Sequence, residues 1–342
     1  MKNMLINGTY LAKKNIGQGS FGSVYMGINT KSKEEVAIKF EKCEKDNSDG
    51  STLLREAETL KDLQNIKGIP KLYYYGTEQN YNIMVMTLLD RDLEHYIKIK
   101  KNFQIDKVIS IGEQLLNILE GIHKKGYIHR DIKPENILFG RGKESNTVFL
   151  IDFGITKPYI DRKTNEIIPY RTNKPFIGTI RYASVAAHKG FELSRRDDLE
   201  SMGYVLCYLA KGNLPWQNML LQDDMKKYYV GKIKQKMPIK KLCKGLPEEF
   251  ALYFEYIQQL EYKQEPKYDY LKSLFAKASK SLTGLFSPDL PSPIDKDGFS
   301  SPSFQSPSFS NINHSLDIAK ENSKEEKEKR PKIDSLQEEE KD

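Results

Sequence analysis

His129-Arg130-Asp131-Ile132-Lys133-Pro134-Glu135-Asn136 is the stretch on which the reading of this chain turns. It follows a long segment of helical period, and Ile137-Leu138-Phe139 after it reads as a short strand. In such a loop Asp131 can accept or orient the proton of an incoming hydroxyl. Lys133 can steady a moving phosphoryl charge, and Asn136 can offer its amide oxygen to a metal ion.

Toward the C-terminus, Phe149-Leu150-Ile151-Asp152-Phe153-Gly154 ends an apolar strand in a carboxylate, a hard ligand placed to bridge Mg²⁺ to phosphates. Toward the N-terminus, Gly17-Gln18-Gly19-Ser20-Phe21-Gly22 lies between two predicted strands, with Val24 two positions on. A dinucleotide fold would need a helix directly after the glycines, whereas residues 23–27 read as strand. Two readings stand: a plain hairpin, or a flap whose backbone N–H groups approach a triphosphate. Val36-Ala37-Ile38-Lys39 puts one lysine at the end of an apolar strand. It either snorkels to solvent or aims at the α- and β-phosphates, in which case it needs a carboxylate to hold it. Glu56 and Glu58, two apart on the next predicted helix, point to different faces. Each motif alone is compatible with chance. Four in this order, on these predicted elements, are not.

Around these motifs the chain divides by composition. Short β-rich segments are predicted at 10–16, 22–29 and 35–40, a helix near 51–65, and a hairpin pair at 71–76 and 81–87. After Leu89 the pattern turns helical, at 92–100, 105–125, 197–210, 247–260 and 267–276. The expectation is an α+β architecture: a small β-rich lobe over 1–89, a larger helical lobe over 90–280, and a cleft between them. Residues 281–342 carry 8 Lys/Arg against 13 Asp/Glu, with 12 Ser and no Tyr or Trp. Such a segment cannot offset its ordering entropy, and disorder is expected there.

The same composition excludes several classes. The formal charge of +7 becomes +12 over the first 280 residues once the acidic end is set aside. That excess permits nucleic-acid or membrane-surface binding, but no interleaving of aromatic and basic residues argues for a specific nucleic acid. The longest apolar run, near residues 204–210, is far short of the roughly 20 residues a membrane span needs, so no transmembrane segment is expected. No secretory leader, myristoylation signal or prenylation cysteine is visible. Cys43, Cys207 and Cys243 fit neither a disulfide framework nor a zinc site, which suggests a reducing compartment. Cytoplasmic or nuclear residence is expected, and a monomer.

Taken together, these motifs resemble the eukaryotic protein kinase family, and within it the casein kinase 1 group. The group resemblance rests on Phe176-Ile177-Gly178-Thr179-Ile180-Arg181-Tyr182-Ala183-Ser184 and on Ser194-Arg195-Arg196-Asp197-Asp198-Leu199-Glu200-Ser201-Met202-Gly203. Leu214-Pro215-Trp216-Gln217 and Leu242-Cys243-Lys244-Gly245 also match. The likeness covers about residues 8–280. It implies a bilobal fold, ATP and Mg²⁺ as cofactors, and phosphoryl transfer to Ser or Thr, since Lys133 follows Asp131 at the serine/threonine spacing. By resemblance, Lys39 is the phosphate-binding lysine and Glu56 its partner, chosen over Glu58 by its spacing to Gly68-Ile69-Pro70. Asp131 is the catalytic base with Lys133 beside it, and Asn136 and Asp152 are the metal ligands. Met86 lies at the back of the adenine pocket. The hinge is Thr87-Leu88-Leu89, and Ile16, Val24, Ala37 and Leu138 sandwich the ring.

The chain also departs from the family pattern. It has no Ala-Pro-Glu at the end of the activation segment, and Ser184-Val185-Ala186 stands where the group has Ser-Ile-Asn. An anchoring Asn is thus replaced by Ala186. Glu135 is commoner in kinases at large than in this group.

Arg130, Lys157, Lys174 and Arg181 match positions that form an anion pocket in the group. Clustered guanidinium and ammonium groups suit a phosphate or an acidic side chain near the target hydroxyl. Protein substrates with acidic or phosphorylated surroundings are therefore expected, against the alternative of a solvated basic face. A phosphorylated tail, with Ser300, Ser301, Ser303, Ser306, Ser308 and Ser310 closely spaced, is expected to compete for that same groove, against the alternative of a solubilising linker. Rival functions are a pseudokinase scaffold and a small-molecule kinase. The first is disfavoured by the complete set of metal and base residues, the second by the 178–184 segment and the helix bearing Asp198.

Overall fold

The computed structural model describes residues 1–19, 22–43 and 51–284. Ser20 and Phe21 of the glycine loop lie outside the described residues. So do residues 285–342, on which nearly all of the expected disorder and the tail hypothesis fall.

The first lobe is a six-stranded antiparallel sheet in the order β1-β2-β3-β4-β6-β5. Its strands are β1 (Leu5–Ile6), β2 (Tyr10–Gly19), β3 (Gly22–Asn29), β4 (Glu35–Lys42), β5 (Leu72–Glu78) and β6 (Tyr81–Thr87). One helix, α1 (Thr52–Asp62), interrupts them. Alternation along β4 and β6 sorts the side chains into two faces. Val36, Ile38, Phe40, Ile83 and Val85 bury themselves with Ile6, Tyr10 and Ala12 on the outer face. Ala37, Lys39, Met84 and Met86 take the inner one, where Met84 packs with Leu53, Ala57 and Leu60 of α1. Lys39 therefore sits among apolar neighbours because the strand register leaves it no other side. Glu41 fixes the start of α1. It accepts from Leu53 N at 3.2 Å and from the Ser51 hydroxyl, and Ser51 in turn caps the helix by accepting from Leu54 N at 3.0 Å.

The second lobe is helical. It comprises α2 (Leu93–Lys100), α3 (Ile105–Lys124), α4 (Val185–His188), α5 (Arg195–Lys211), α6 (Asp223–Lys236), α7 (Ile239–Leu242), α8 (Glu248–Gln259) and α9 (Tyr268–Gly284). Two short ribbons join them: β7 (Tyr127–Ile128) with β10 (Lys157–Pro158), and β8 (Ile137–Phe139) with β9 (Val148–Leu150). Leu115, Leu119 and Ile122 of α3 are buried in one core with Leu199, Val205 and Leu209 of α5 and Leu271, Phe275 and Ala278 of α9. Burial of this apolar surface stabilises the lobe at about 25 cal/mol per Å².

The elements differ from the sequence expectation in three places. Helix α9 runs to Gly284, past the expected boundary at 280, because Ala278 and Leu282 still reach the core. Helix α6 was not expected at all. It buries only Val230, Gly231 and Lys234, too few apolar positions to show a period. The two-residue strands and the four-residue helices α4 and α7 are too short to leave one. Among the described residues no helix is long and apolar enough to cross a membrane.

Candidate active site

Two pieces of backbone bring the expected site residues together. In the first lobe, Lys39 Nζ lies 2.6 Å from Glu56 Oε2 and 3.8 Å from Asp152 Oδ1. Glu56 is only 3% exposed, on the buried face of α1. Burial alone would lower the Lys39 pKa, but the Glu56 and Asp152 carboxylates raise it above the ordinary lysine value, so the ammonium stays charged. The two carboxylates left open by spacing are thereby told apart: Glu56, not Glu58, meets Lys39.

The second piece is the loop at 129–136. Asp198, buried on α5, accepts from His129 N at 2.7 Å and from Arg130 N at 2.8 Å. It also accepts from His123 Nε2 at 3.0 Å, and His123 Nδ1 meets the Tyr268 hydroxyl at 2.5 Å. His129 Nε2 donates to Ile151 O at 3.1 Å, which leaves Nδ1 to accept from Asp131 N at 3.3 Å. Its ring packs edge-on against Phe153. Arg130 (φ 72°) and Asp152 (φ 67°) are both held in the left-handed region that non-glycine residues seldom adopt. The fixed hydrogen bonds around them sustain that strain, a pattern concentrated at functional sites.

These contacts form one continuous path. Lys39 meets Asp152, and Ile151 N donates to Asn136 O at 2.9 Å. Asn136 Nδ2 donates to Asp131 O at 3.0 Å and approaches Asp131 Oδ2 at 3.4 Å. Lys133 Nζ donates to Asp131 Oδ2 at 2.5 Å, and Thr179 Oγ1 to Asp131 Oδ1 at 2.7 Å. Asp131, Lys133 and Asn136, expected together from the sequence, are thus joined by hydrogen bonds, and Lys39 and Asp152 reach them through a 3.8 Å ion pair and the Ile151 backbone.

The inner sheet face carries further expected site positions beside Lys39. Gly17 pairs with Val24, Val24 with Lys39, and Ala37 with Met86, so these positions share one face. Val24 and Leu138 are half-buried, Ala37 is buried and Ile16 is 41% exposed. Leu138 lies on β8, bridged to Asp92, while Leu88 and Leu89 follow β6 as a partly buried connection. Gly19 ends β2 opposite Gly22. At Gly22 (φ 141°) a Cβ would collide with the Phe40 carbonyl, so a side chain is excluded there.

The 178–184 segment is anchored without the missing Asn. Gly178 (φ 98°) passes the 129–136 loop so closely that a Cβ would lie 2.7 Å from Arg130 O. Ser184 Oγ donates to Asp197 Oδ1 at 2.7 Å, Val185 N donates to Glu200 Oε1 at 3.0 Å, and Trp216 Nε1 donates to Arg181 O at 2.8 Å. Lys234, buried to 3% exposure, donates to Ile180 O at 2.9 Å and Ala183 O at 2.6 Å, with His188 Nε2 at 3.3 Å.

Three of the four expected anion-pocket cations fall in one neighbourhood. Lys157 Nζ lies 2.6 Å and Lys174 Nζ 3.6 Å from the Glu192 carboxylate, and the Glu192 charge also acts on Arg130. Arg130 Nε donates to Ile155 O at 2.7 Å. Arg181 turns to a different set: it lies over the Tyr182 and Tyr208 rings and donates to the Tyr182 hydroxyl at 3.3 Å.

Asp152 and Asn136 offer only oxygen to a cation, and Asp152 is 35% exposed with Lys39 at 3.8 Å its nearest cation among the described residues. A short oxygen donor set fits Mg²⁺, which completes its shell from phosphate and water rather than from a protein cage. Sequence reasoning did not assign roles to Thr179, Asp198, Lys234 or Glu192. Thr179 and Asp198 stood inside quoted motifs, where a hydroxyl and a carboxylate beside buried positions were the available signal. Among known families, the model of the protein kinase domain matches residues 10–285.

Proposed function

We propose, because the chain belongs to the protein kinase family, that its cleft transfers the γ-phosphoryl group of ATP to serine or threonine hydroxyls of proteins. The reading is of casein kinase 1 type, with acidic or pre-phosphorylated surroundings preferred around the target. The observation that supports it most is the path of contacts from Lys39 through Asp152 and Asn136 to Asp131, Lys133 and Thr179.

In this reading Lys39, held by Glu56, presents its charge to the α- and β-phosphates. Asp152 and Asn136 hold Mg²⁺, which when bound neutralises charge on the phosphate oxygens. Asp131 orients the substrate hydroxyl through a carboxylate oxygen and takes its proton as the oxygen–phosphorus bond forms and the bond to the diphosphate breaks. Lys133 balances charge beside the transferred group. The glycine flap excludes water from above. Such catalysis is positioning and electrostatic stabilisation, with no covalent intermediate on the protein. Arg130, Lys157 and Lys174 receive the substrate's anion. We further propose a monomer of the cytoplasm or nucleus.

Radiolabelled ATP with casein, and a library of primed and unprimed serine, threonine and tyrosine peptides, test the reading. Label on serine or threonine, enriched in primed peptides and lost in Asp131→Asn while nucleotide binding persists, is expected. Near-normal turnover of Asp131→Asn would overturn the role given to Asp131, and label on tyrosine the specificity.

A further inference from the structure

The expected anion pocket already contains an anion. Glu192 follows α4, its backbone N–H donating to Arg171 O at 2.8 Å, and its side chain is 5% exposed. Oε1 accepts from Lys157 Nζ at 2.6 Å. Oε2 is buried and has no hydrogen-bond partner among the described residues, with Lys174 Nζ the next cation at 3.6 Å. The Lys174 backbone is tied to the same turn through its N–H to Gly190 O at 2.8 Å.

A buried carboxylate is costly unless cations compensate it, and here they do. Burial alone would raise the Glu192 pKa, but Lys157 and Lys174 hold it below the ordinary glutamate value, so it is charged at neutral pH. Each lysine has three N–H donors. Both side chains are partly exposed, at 28% and 34%, so donors not aimed at Glu192 remain for a ligand from solvent. Glu192 thus has two opposed effects. It orients the lysines before anything binds, and its negative charge repels the dianion they would receive.

We propose that Glu192 sets the specificity of this pocket, holding Lys157 and Lys174 in place while restraining their affinity for a phosphorylated side chain of a protein substrate. The inference rests on the anion-pocket reading above. A single charge a few ångströms from a bound phosphate acts strongly on it at a partly buried site, where water screens it little. Glu192→Gln, which keeps the shape and removes the charge, therefore tightens anion binding about tenfold.

Two measurements on the full chain test this. The first is the rise in melting temperature with inorganic sulfate, which reads binding without catalysis. The second is kcat/KM for a primed serine peptide relative to its unprimed form. Expected in Glu192→Gln are a sulfate dissociation constant about tenfold lower and a primed-to-unprimed ratio about tenfold higher. Glu192→Asp keeps the buried charge but withdraws it by one methylene, and should move both readouts the same way by less. It serves as the test if the Gln variant does not fold. If sulfate and the primed peptide bind the wild type through Lys157 and Lys174, as shown by loss in Lys157→Met and Lys174→Met, yet neither Glu192 variant binds them more tightly, this inference alone fails. If tightening appears with sulfate but not with the peptide, free anion and not a substrate phosphate is the ligand, and the specificity role fails. If the wild type shows no lysine-dependent response to either probe, the pocket reading fails and takes the inference with it.

Discussion

Thr179 Oγ1 donates to Asp131 Oδ1 at 2.7 Å, so the 178–184 segment touches the carboxylate given the role of base. Lys133 holds the other oxygen at 2.5 Å. Between them they leave the carboxylate little rotational freedom. Gly178 makes the contact possible, since any Cβ there would press on Arg130 O. Misplacing a reacting group by about 1 Å costs on the order of 100-fold in rate. Thr179→Ala should therefore lower kcat by about 10- to 100-fold with the ATP KM little changed, and Thr179→Ser should restore most of it. Steady-state kinetics with both substrates varied decide the matter. A loss confined to the ATP KM would refute the positioning role.

Lys39 and Glu56 make a second, separable prediction. Glu56 is 3% exposed and has Lys39 as its close cation at 2.6 Å. Burial raises the Glu56 pKa even beside Lys39, and Lys39→Ala leaves that buried group without its cation, which costs about 3–5 kcal/mol in comparable sites. Adding Glu56→Gln removes the stranded charge. The double variant should recover stability in chemical denaturation while remaining inactive. Equal stability of the single and double variants would show that Glu56 does not depend on Lys39 for its charge.

What the sequence made legible was what it kept together. The loop at 129–136 places acid, lysine and amide within a few positions, so their proximity was readable before the fold. Lys39 with Glu56 was only half legible: helix geometry separated Glu56 from Glu58 but could not say which faced the sheet, and resemblance supplied the choice. Asp198 reaches back 69 residues to His129, and Lys234 reaches 51 to Ala183. No periodicity or motif spacing encodes such contacts, because they depend on how α5 and α6 pack. Arg181 shows the converse: its sequence position suggested the pocket, while Tyr182 and Tyr208 offered its guanidinium a closer pair of ring faces.

Adjacent carboxylates on α5 are shifted in opposite directions, and that has a signature in pH. Burial pushes Asp197 up to about 7 from an ordinary 3.8, despite its bonds from Ser184 and Ser194. Burial would raise Asp198 too, but His123, His129 and the Arg130 N–H hold it below its ordinary value. For Asp197 the folded state binds the proton more tightly than the unfolded state does. Its contribution to stability is thus full below the unfolded value and declines as pH rises toward 7. For Asp198 the sign reverses: its contribution is present above the unfolded value and is lost as pH falls through the folded one. Denaturation of wild type and Asp197→Asn across pH 4 to 8 should show the variant gaining relative to wild type up to about pH 7 and no further. A pH-independent difference would mean that Asp197 stays ionised throughout.

Lys234 carries the last prediction, because it joins α6 to the segment that follows Thr179. Its ammonium meets Ile180 O, Ala183 O and His188 Nε2, and lies over the Tyr204 and Trp216 rings. Burial draws its pKa well below the ordinary lysine value, opposed by the charge of Glu200. His188 donates from Nδ1 to Lys227 O at 2.9 Å, so its Nε2 is free to accept from Lys234. Burial, and then the Lys234 charge, bring His188 down to about 4. Lys234→Met keeps the apolar stem but strands the buried Ala183 carbonyl, at about 1–3 kcal/mol, together with two partly buried acceptors. The variant should lose at least about 2 kcal/mol in denaturant unfolding. It should also raise the KM for protein substrate more than that for ATP, since the loosened carbonyls belong to the segment beside Asp131. With the neighbouring charge gone, His188 should titrate at higher pH by NMR. An unmoved His188 together with an unchanged protein KM would mean that Lys234 is packing alone and that the segment is held by Ser184, Val185 and Trp216.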